Sequence, residues 1–181
     1  GDPMRGSSLR FVCGAVAVAG TLGLSATTRP AFADDLATLA ARVQVLEDRE
    51  EIRSLILAYG KAHDHRDYRV FASLFAKEGE WIGGLGSAKG PDAIFALMDE
   101  SIGHNPLPQG SGTFHVMSNE QIDIDGDRAS SVTKWLYITA ADDNSPQLTY
   151  LGHYDDQFVR EDGRWKFLRR QSFSDISPLR R

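Results

Sequence analysis

The last third of the chain constrains the fold most. Four runs rich in Val, Ile, Thr, Phe, Trp and Tyr follow one another, at Thr113–Asp125, Arg128–Ala140, Gln147–Glu161 and Arg164–Phe173. Only Asp125-Gly126-Asp127, Ala141–Pro146 and Asp162-Gly163 separate them. Connections this short cannot carry a parallel crossover, so the runs must form antiparallel neighbours in a meander. Helical periodicity comes before them. Leu36, Leu39, Val43 and Leu46 recur at three- and four-residue steps, and Ile52, Leu55, Ile56 and Tyr59 continue the series, so Asp34 to Asp64 reads as helix. The charged stretch Asp48-Arg49-Glu50-Glu51 either continues this helix or breaks it in two. A second short helix is expected over Asp67–Phe75, capped by Asp67, then a strand over Gly79–Leu85. Pro91–Ile102 has Pro in its first turn and helical spacing of Ile94, Leu97 and Met98. His104–Gly112 reads as loop. Helices first and long antiparallel strands after predict an α+β domain with helices on one sheet face. Curled around those helices, the sheet makes a cone whose apolar interior is a natural small-molecule site.

The remaining residues narrow the function. With 181 residues, 20 Lys and Arg against 25 Asp and Glu, and one Cys, the chain holds a single acidic domain. That balance argues against a nucleic-acid partner, and one Cys excludes a disulfide framework, a Cys-rich zinc site and an iron–sulfur cluster. Gly1-Asp2-Pro3 reads as a cloning remnant. Residues 4–33 have the three parts of a secretory leader: Arg5 and Arg10, the small apolar run Phe11–Ala26, and the cleavage pattern Ala31-Phe32-Ala33. Export to the periplasm or medium is therefore expected, with residues 34–181 as the domain and no membrane association after processing. Candidate metal ligands His63-Asp64-His65, His153, Asp155 and Asp156 lack the i,i+4 spacing of a helical metal motif, and no metal is expected. No Gly-rich phosphate loop follows a strand, and Gly83-Gly84-Leu85-Gly86 reads as a bend beside the cavity.

Several pieces together resemble the SnoaL-like branch of the NTF2-like superfamily. They are the helical stretch LEDREEIRSLILAYGKAHDHRDYRVFASLF, the segment EWIGGLGSAKGPDAI, the strand FHVMSN, and GHYDDQFVREDGRWKF near the end. The resemblance covers nearly all of residues 34–181 and implies an NTF2-like cone. Within that branch the chain looks most like the cofactor-free lyases, namely scytalone dehydratase, hexachlorocyclohexane dehydrochlorinase and bile-acid dehydratase. Those enzymes pair an Asp on the first helix with a His on the following long strand. Asp64 and His115 match these positions, and Tyr59 matches one that holds Tyr or Lys in relatives. Scytalone dehydratase has a second active-site His on the next strand, but Lys134–Ala140 has none.

The resemblance implies elimination from a small hydrophobic or aromatic substrate, with loss of water, halide or a small carbonyl fragment. His115 would be the base, Asp64 its orienting carboxylate and Tyr59 the donor to an oxyanion or to the leaving group. No cofactor is implied, and a homo-oligomer, dimer or trimer, is implied by family analogy. The chemistry agrees: His is the side chain whose pKa lies nearest neutral pH, and a carboxylate on its other nitrogen fixes the tautomer. An isomerase using the same proton transfer and a non-catalytic ligand-binding module are the alternatives. Trp81, Tyr137, Tyr154 and Phe75 are expected to line the pocket, Tyr154 rather than His153 because it shares a strand face with Phe158.

Two points of geometry stand open. Five residues turn an ideal helix by about 500°, so Tyr59 and Asp64 meet only if the helix loosens near Gly60 or the cavity wraps around its end. Strand alternation also puts His115 and Met117 on one face and Ile122 and Ile124 on the other, which requires a bulge or two half-buried faces.

Overall fold

A computed structural model describes residues 29–103 and 112–176. The expected leader as far as residue 28, the expected loop over residues 104–111, and residues 177–181 lie outside the described residues. The chain divides into two compact units, Gly1–Ala37 and Thr38–Arg181. Of the first, only the helical residues from Arg29 onward are described; the second contains the sheet and every residue discussed below.

Helix α1 (Arg29–Asp64) runs without a break through Asp48-Arg49-Glu50-Glu51. The charges there have partners that hold the helix to the sheet. Arg160 Nη2 donates to Asp48 Oδ1 at 2.6 Å, Gln44 Nε2 donates to the same oxygen at 3.0 Å, and the Trp165 backbone N–H donates to Glu51 Oε1 at 3.0 Å. Past this anchor, Ile52, Leu55, Ile56, Tyr59 and Ala62 form the buried stripe. Helix α2 (Tyr68–Ser73) is capped by Asp67, whose Oδ1 accepts the Val70 N–H at 3.1 Å. It ends before Phe75, because Phe75 already belongs to β1 (Phe75–Gly83) and pairs with Phe167 of the last strand.

The short strand β2 (Gly86–Lys89) is an element the hydrophobic pattern did not announce. It folds back on β1, with Trp81 opposite Ala88 and Gly83 opposite Gly86. Its residues Gly-Ser-Ala-Lys carry no strand-forming side chains, so only the turn at Gly84-Leu85 signals it. Helix α3 (Pro91–Ile102) follows, then β3 (Thr113–Asp125), β4 (Arg128–Ala140), β5 (Pro146–Glu161) and β6 (Arg164–Ile176). The curved, open sheet has the order β2-β1-β6-β5-β4-β3, antiparallel throughout except for the parallel β1–β6 pair.

A bulge resolves the alternation conflict on β3. Ser118 lies opposite Lys134 but Gln121 opposite Val132, and Asn119 takes a φ of 54°. One extra residue turns the strand's phase. His115 and Met117 therefore sit against Tyr137 and Trp135, while Ile122 and Ile124 sit against Ser131 and Ala129. On β5, Tyr154 and Phe158 are buried, and the core also holds Phe71, Phe75 and Phe167, with centroids 5.8 Å (Phe71–Phe75) and 5.2 Å (Phe75–Phe167) apart.

Candidate active site

The end of α1, the start of β3 and the inner faces of β1 and β4–β6 enclose a cavity of about 530 Å³. That is room for a small organic molecule. Its lining includes Tyr59, His63, Trp81, His115, Trp135, Tyr137, Tyr150 and Tyr154, with Ser172 and Ser174 on β6 and Gly84, Leu85 and Ile102 at the side. Trp81, Tyr137 and Tyr154 thus stand where the sequence reading put them. Phe75 does not: it is spent in the aromatic core between Phe71 and Phe167, because β1 begins at it and its side chain turns into that core. His153 lies on the opposite face from Tyr154, with its Nδ1 on Asp175 at 2.7 Å and its ring stacked on Phe173.

Asp64 and His115 touch. His115 Nδ1 is 2.6 Å from Asp64 Oδ1, and the His115 backbone N–H donates to Asp64 Oδ2 at 2.9 Å. A carboxylate only accepts, so Nδ1 carries the proton and Nε2 of the neutral ring is the basic nitrogen. His115 lines the cavity and Asp64 stands behind it. Their side chains are 7% and 14% exposed.

Convergence with Tyr59 comes about without loosening of α1, which remains helical through Asp64. The cavity wraps around the helix end. Gly60 makes this possible: a Cβ there would lie 3.0 Å from the Met117 methyl and 3.4 Å from the His115 Cβ, so the helix lies directly against β3. Tyr59 is fully buried and its Oη accepts a hydrogen bond from Trp81 Nε1 at 2.9 Å. Tyr154 is a further hydrogen-bonding neighbour of the same hydroxyl, and the phenol carries one proton of its own. Burial pushes the Tyr59 and Tyr154 phenols up, although the Arg170 charge pulls both back, so both are protonated donors at neutral pH. Burial raises Tyr137 as well, and the Asp64 charge adds to it.

Two parts of the site were not foreseen. His63 occupies the face of α1 one turn beyond Tyr59 and packs against His115, ring centroids 4.6 Å apart. Burial first, and then the neighbouring His115, push its pKa down to about 4, so it is neutral. The i,i+4 relation to Tyr59 was the available signal. Beneath the floor lies a second pair, Asp156 and Arg170, with no exposed side-chain surface. Arg170 donates from Nε to Asp156 Oδ1 at 2.8 Å and from Nη2 to Oδ2 at 2.6 Å, and Ser131 Oγ donates to Oδ2 at 3.3 Å. Its guanidinium lies 4.1 Å from the ring centroids of both Tyr59 and Tyr154 and 4.2 Å from that of Phe167. Burial works against both charges, but this two-pronged geometry holds the pair ionic.

Among the described residues, the side chains grouped so that they could hold a metal keep His63 and Asp64 of the candidates read from sequence and replace His65 with His115. His63, Asp64 and His115 each offer a donor atom within 4.8 Å of the others, whereas His65 turns back to the Lys61 carbonyl. Both Asp64 oxygens and His115 Nδ1 are already joined to each other. Keeping those bonds leaves two imidazoles for an ion, short of the usual four ligands.

The SnoaL-like domain model matches residues 44–171. The chain belongs to the SnoaL-like family, within the NTF2-like superfamily. A solved NTF2-like protein with a cystatin-like fold from Novosphingobium aromaticivorans is 30% identical, with a TM-score of 0.69 over 80% of this chain and 94% of that one. An uncharacterized protein of Mycobacterium tuberculosis is 29% identical over 133 residues, 71% of this chain and 86% of that protein. The hexachlorocyclohexane dehydrochlorinase LinA-type3 from Novosphingobium barchaimii shares the SnoaL-like architecture at 21% identity and a TM-score of 0.61, over 75% of this chain and 91% of its own. That likeness is one of fold.

Proposed function

We propose that this SnoaL-like protein is a cofactor-independent lyase acting on a small hydrophobic or aromatic substrate. His115 Nε2 takes a proton from carbon, and a leaving group departs as the double bond forms. The observation that carries the reading is the 2.6 Å contact between His115 Nδ1 and Asp64, with His115 on the cavity and Asp64 behind it. A binding pocket has no use for an imidazole whose tautomer and charge are both provided for by a carboxylate. In elimination, Asp64 holds Nδ1–H, keeps Nε2 basic and stabilises the imidazolium that forms. Tyr59, steadied by Trp81, donates to negative charge developing on the substrate. The aromatic walls exclude water and favour a planar or apolar molecule.

The leaving group is water, halide or a small carbonyl fragment. The reading includes export, on the leader pattern of residues 4–33, and self-association as a homo-oligomer. A screen of small aromatic alcohols and halides, followed for conjugated products, identifies the substrate. Asp64→Asn should then lower kcat severely, because an amide neither stabilises imidazolium nor fixes the tautomer. A ligand that binds and is released unchanged, with affinity altered by His115→Ala, would establish the binding-module alternative. Recovery of a rearranged isomer would establish the isomerase.

A further inference from the structure

We infer that His63 is a second catalytic residue of this site, a neutral hydrogen-bond donor to the departing group beside the nitrogen that takes the proton. The inference rests on the lyase reading and divides within it the two donor tasks between Tyr59, which serves the substrate skeleton, and His63, which serves the leaving group. An elimination develops charge at two places. Tyr59 answers the charge on the substrate skeleton; the atom that leaves needs a donor of its own.

His63 has the position for it. It lines the cavity between Tyr59 and His115, with ring centroids 6.3 Å and 4.6 Å from theirs. Its ring is fixed edge-on by Tyr68 and Phe71 of α2, at 6.1 Å and 5.8 Å. The neighbouring carboxylate, Asp64, turns both its oxygens to His115 and none to His63. His63 is therefore an uncharged ring, and its low proton affinity agrees with that. A neutral imidazole presents one N–H donor and one acceptor nitrogen; the His63 ring also meets its own backbone, and the assigned role takes the tautomer whose N–H is on the nitrogen facing the cavity. It also leaves room for the positive charge that His115 acquires, since two imidazolium rings at 4.6 Å would repel.

The step balances without any further reagent. The C–H bond breaks and its proton moves to His115 Nε2, while its electron pair becomes the new C=C bond. The bond to the leaving atom breaks and that atom departs with the pair, hydrogen-bonded by His63 N–H. A halide leaves as the anion and His115 loses its proton to solvent; a hydroxyl takes the proton back from His115 and leaves as water.

The test uses 5-nitrobenzisoxazole, a planar probe whose one acidic C–H is removed as its N–O bond opens to a coloured phenolate. The full chain should turn it over, and His115→Ala should abolish that turnover. His63→Phe, which suits the aromatic surroundings, should lower kcat by about 10–10²-fold with KM little changed. His63→Gln, which restores an N–H, should recover part of the loss. In the wild-type protein, the His63 ring N–H resonance should move downfield when 4-nitrophenolate is added, a measurement that stands even if the variants fold poorly. Turnover that depends on His115 but is undiminished in His63→Phe overturns this inference alone, as does an unmoved His63 resonance with 4-nitrophenolate bound. Absence of any His115-dependent turnover overturns the lyase reading itself.

Discussion

Two carboxylates on this molecule each hold a basic partner, and they stand one layer apart. Asp156 grips Arg170 beneath the floor, with neither side chain exposed, while Asp64 grips His115 at the wall, where the cavity reaches the imidazole. The pairing chemistry is alike, but what each partner can do differs. A guanidinium keeps its proton at any working pH, so the lower pair is a fixed dipole supporting the rings of Tyr59 and Tyr154. An imidazole reached by the cavity can exchange its proton, and that exchange is the task the proposed function gives the upper pair. On the proposed function, the same pairing serves architecture where it is sealed off and chemistry where the cavity reaches the base.

The contrast can be broken most sharply at His115. On a substrate turned over as proposed, His115→Ala should lower turnover by about 10²–10⁴-fold while the urea midpoint moves less than in an Asp156 variant, since Asp64 keeps the backbone N–H of residue 115 as a partner. Asp156→Ala should do the reverse. It strands a buried guanidinium and should cost about 3–5 kcal/mol of folding stability, measured by urea unfolding. Replacing both members at once, Asp156→Leu with Arg170→Met, should recover most of that loss, because a buried ion pair contributes little over a well-packed apolar one.

The third prediction concerns pH. His63 has a folded-state pKa of about 4, below its ordinary 6.5, so below pH 6.5 the unfolded chain binds the proton more tightly. Its contribution is whole above pH 6.5, declines between 6.5 and 4, and is gone below 4. The loss amounts to about 3 kcal/mol, and unfolding of the wild type compared with His63→Phe at pH 7 and pH 4.5 should reveal it as a slope that the variant lacks. The smallest effect is away from both pairs. Asp67→Ala removes the α2 cap and should cost about 1 kcal/mol, with no change in the pH dependence of turnover.

Much of this was legible in the chain. The four long strands announce themselves because alternation and Asp-Gly turns leave little freedom. Asp64, His115 and Tyr59 are found because they stand in recognisable stretches, LAYGKAHD and FHVMSN. The misses have physical reasons. β2 is built from Gly, Ser, Ala and Lys, and pairing with β1 alone makes it a strand. In sequence His63 stands beside Asp64 and His65, residues that diverge around the helix, while its partner Tyr59 lies one turn back. Asp156 alternates with Tyr154 and Phe158, which places an acid on the core side, but a slip in register between β5 and β6, after the Gln157–Arg169 pair, hides Arg170 from the same count. Phe75 was misplaced because an element boundary moved by a few residues reassigns a side chain from cavity to core.

The bulge at Asn119 has a wider meaning for how such a chain can change. It divides β3 into two segments that keep separate time. Before it, His115 reaches the cavity; after it, Ile122 and Ile124 face the packed interior. A change at His115 acts on the pocket, and changes at Ile122 and Ile124 act on how firmly the sheet is held. Losing a single residue there would rejoin the two clocks and force one segment to face the wrong way. A lone insertion thus gives the lineage two dials where an unbroken strand would have offered one.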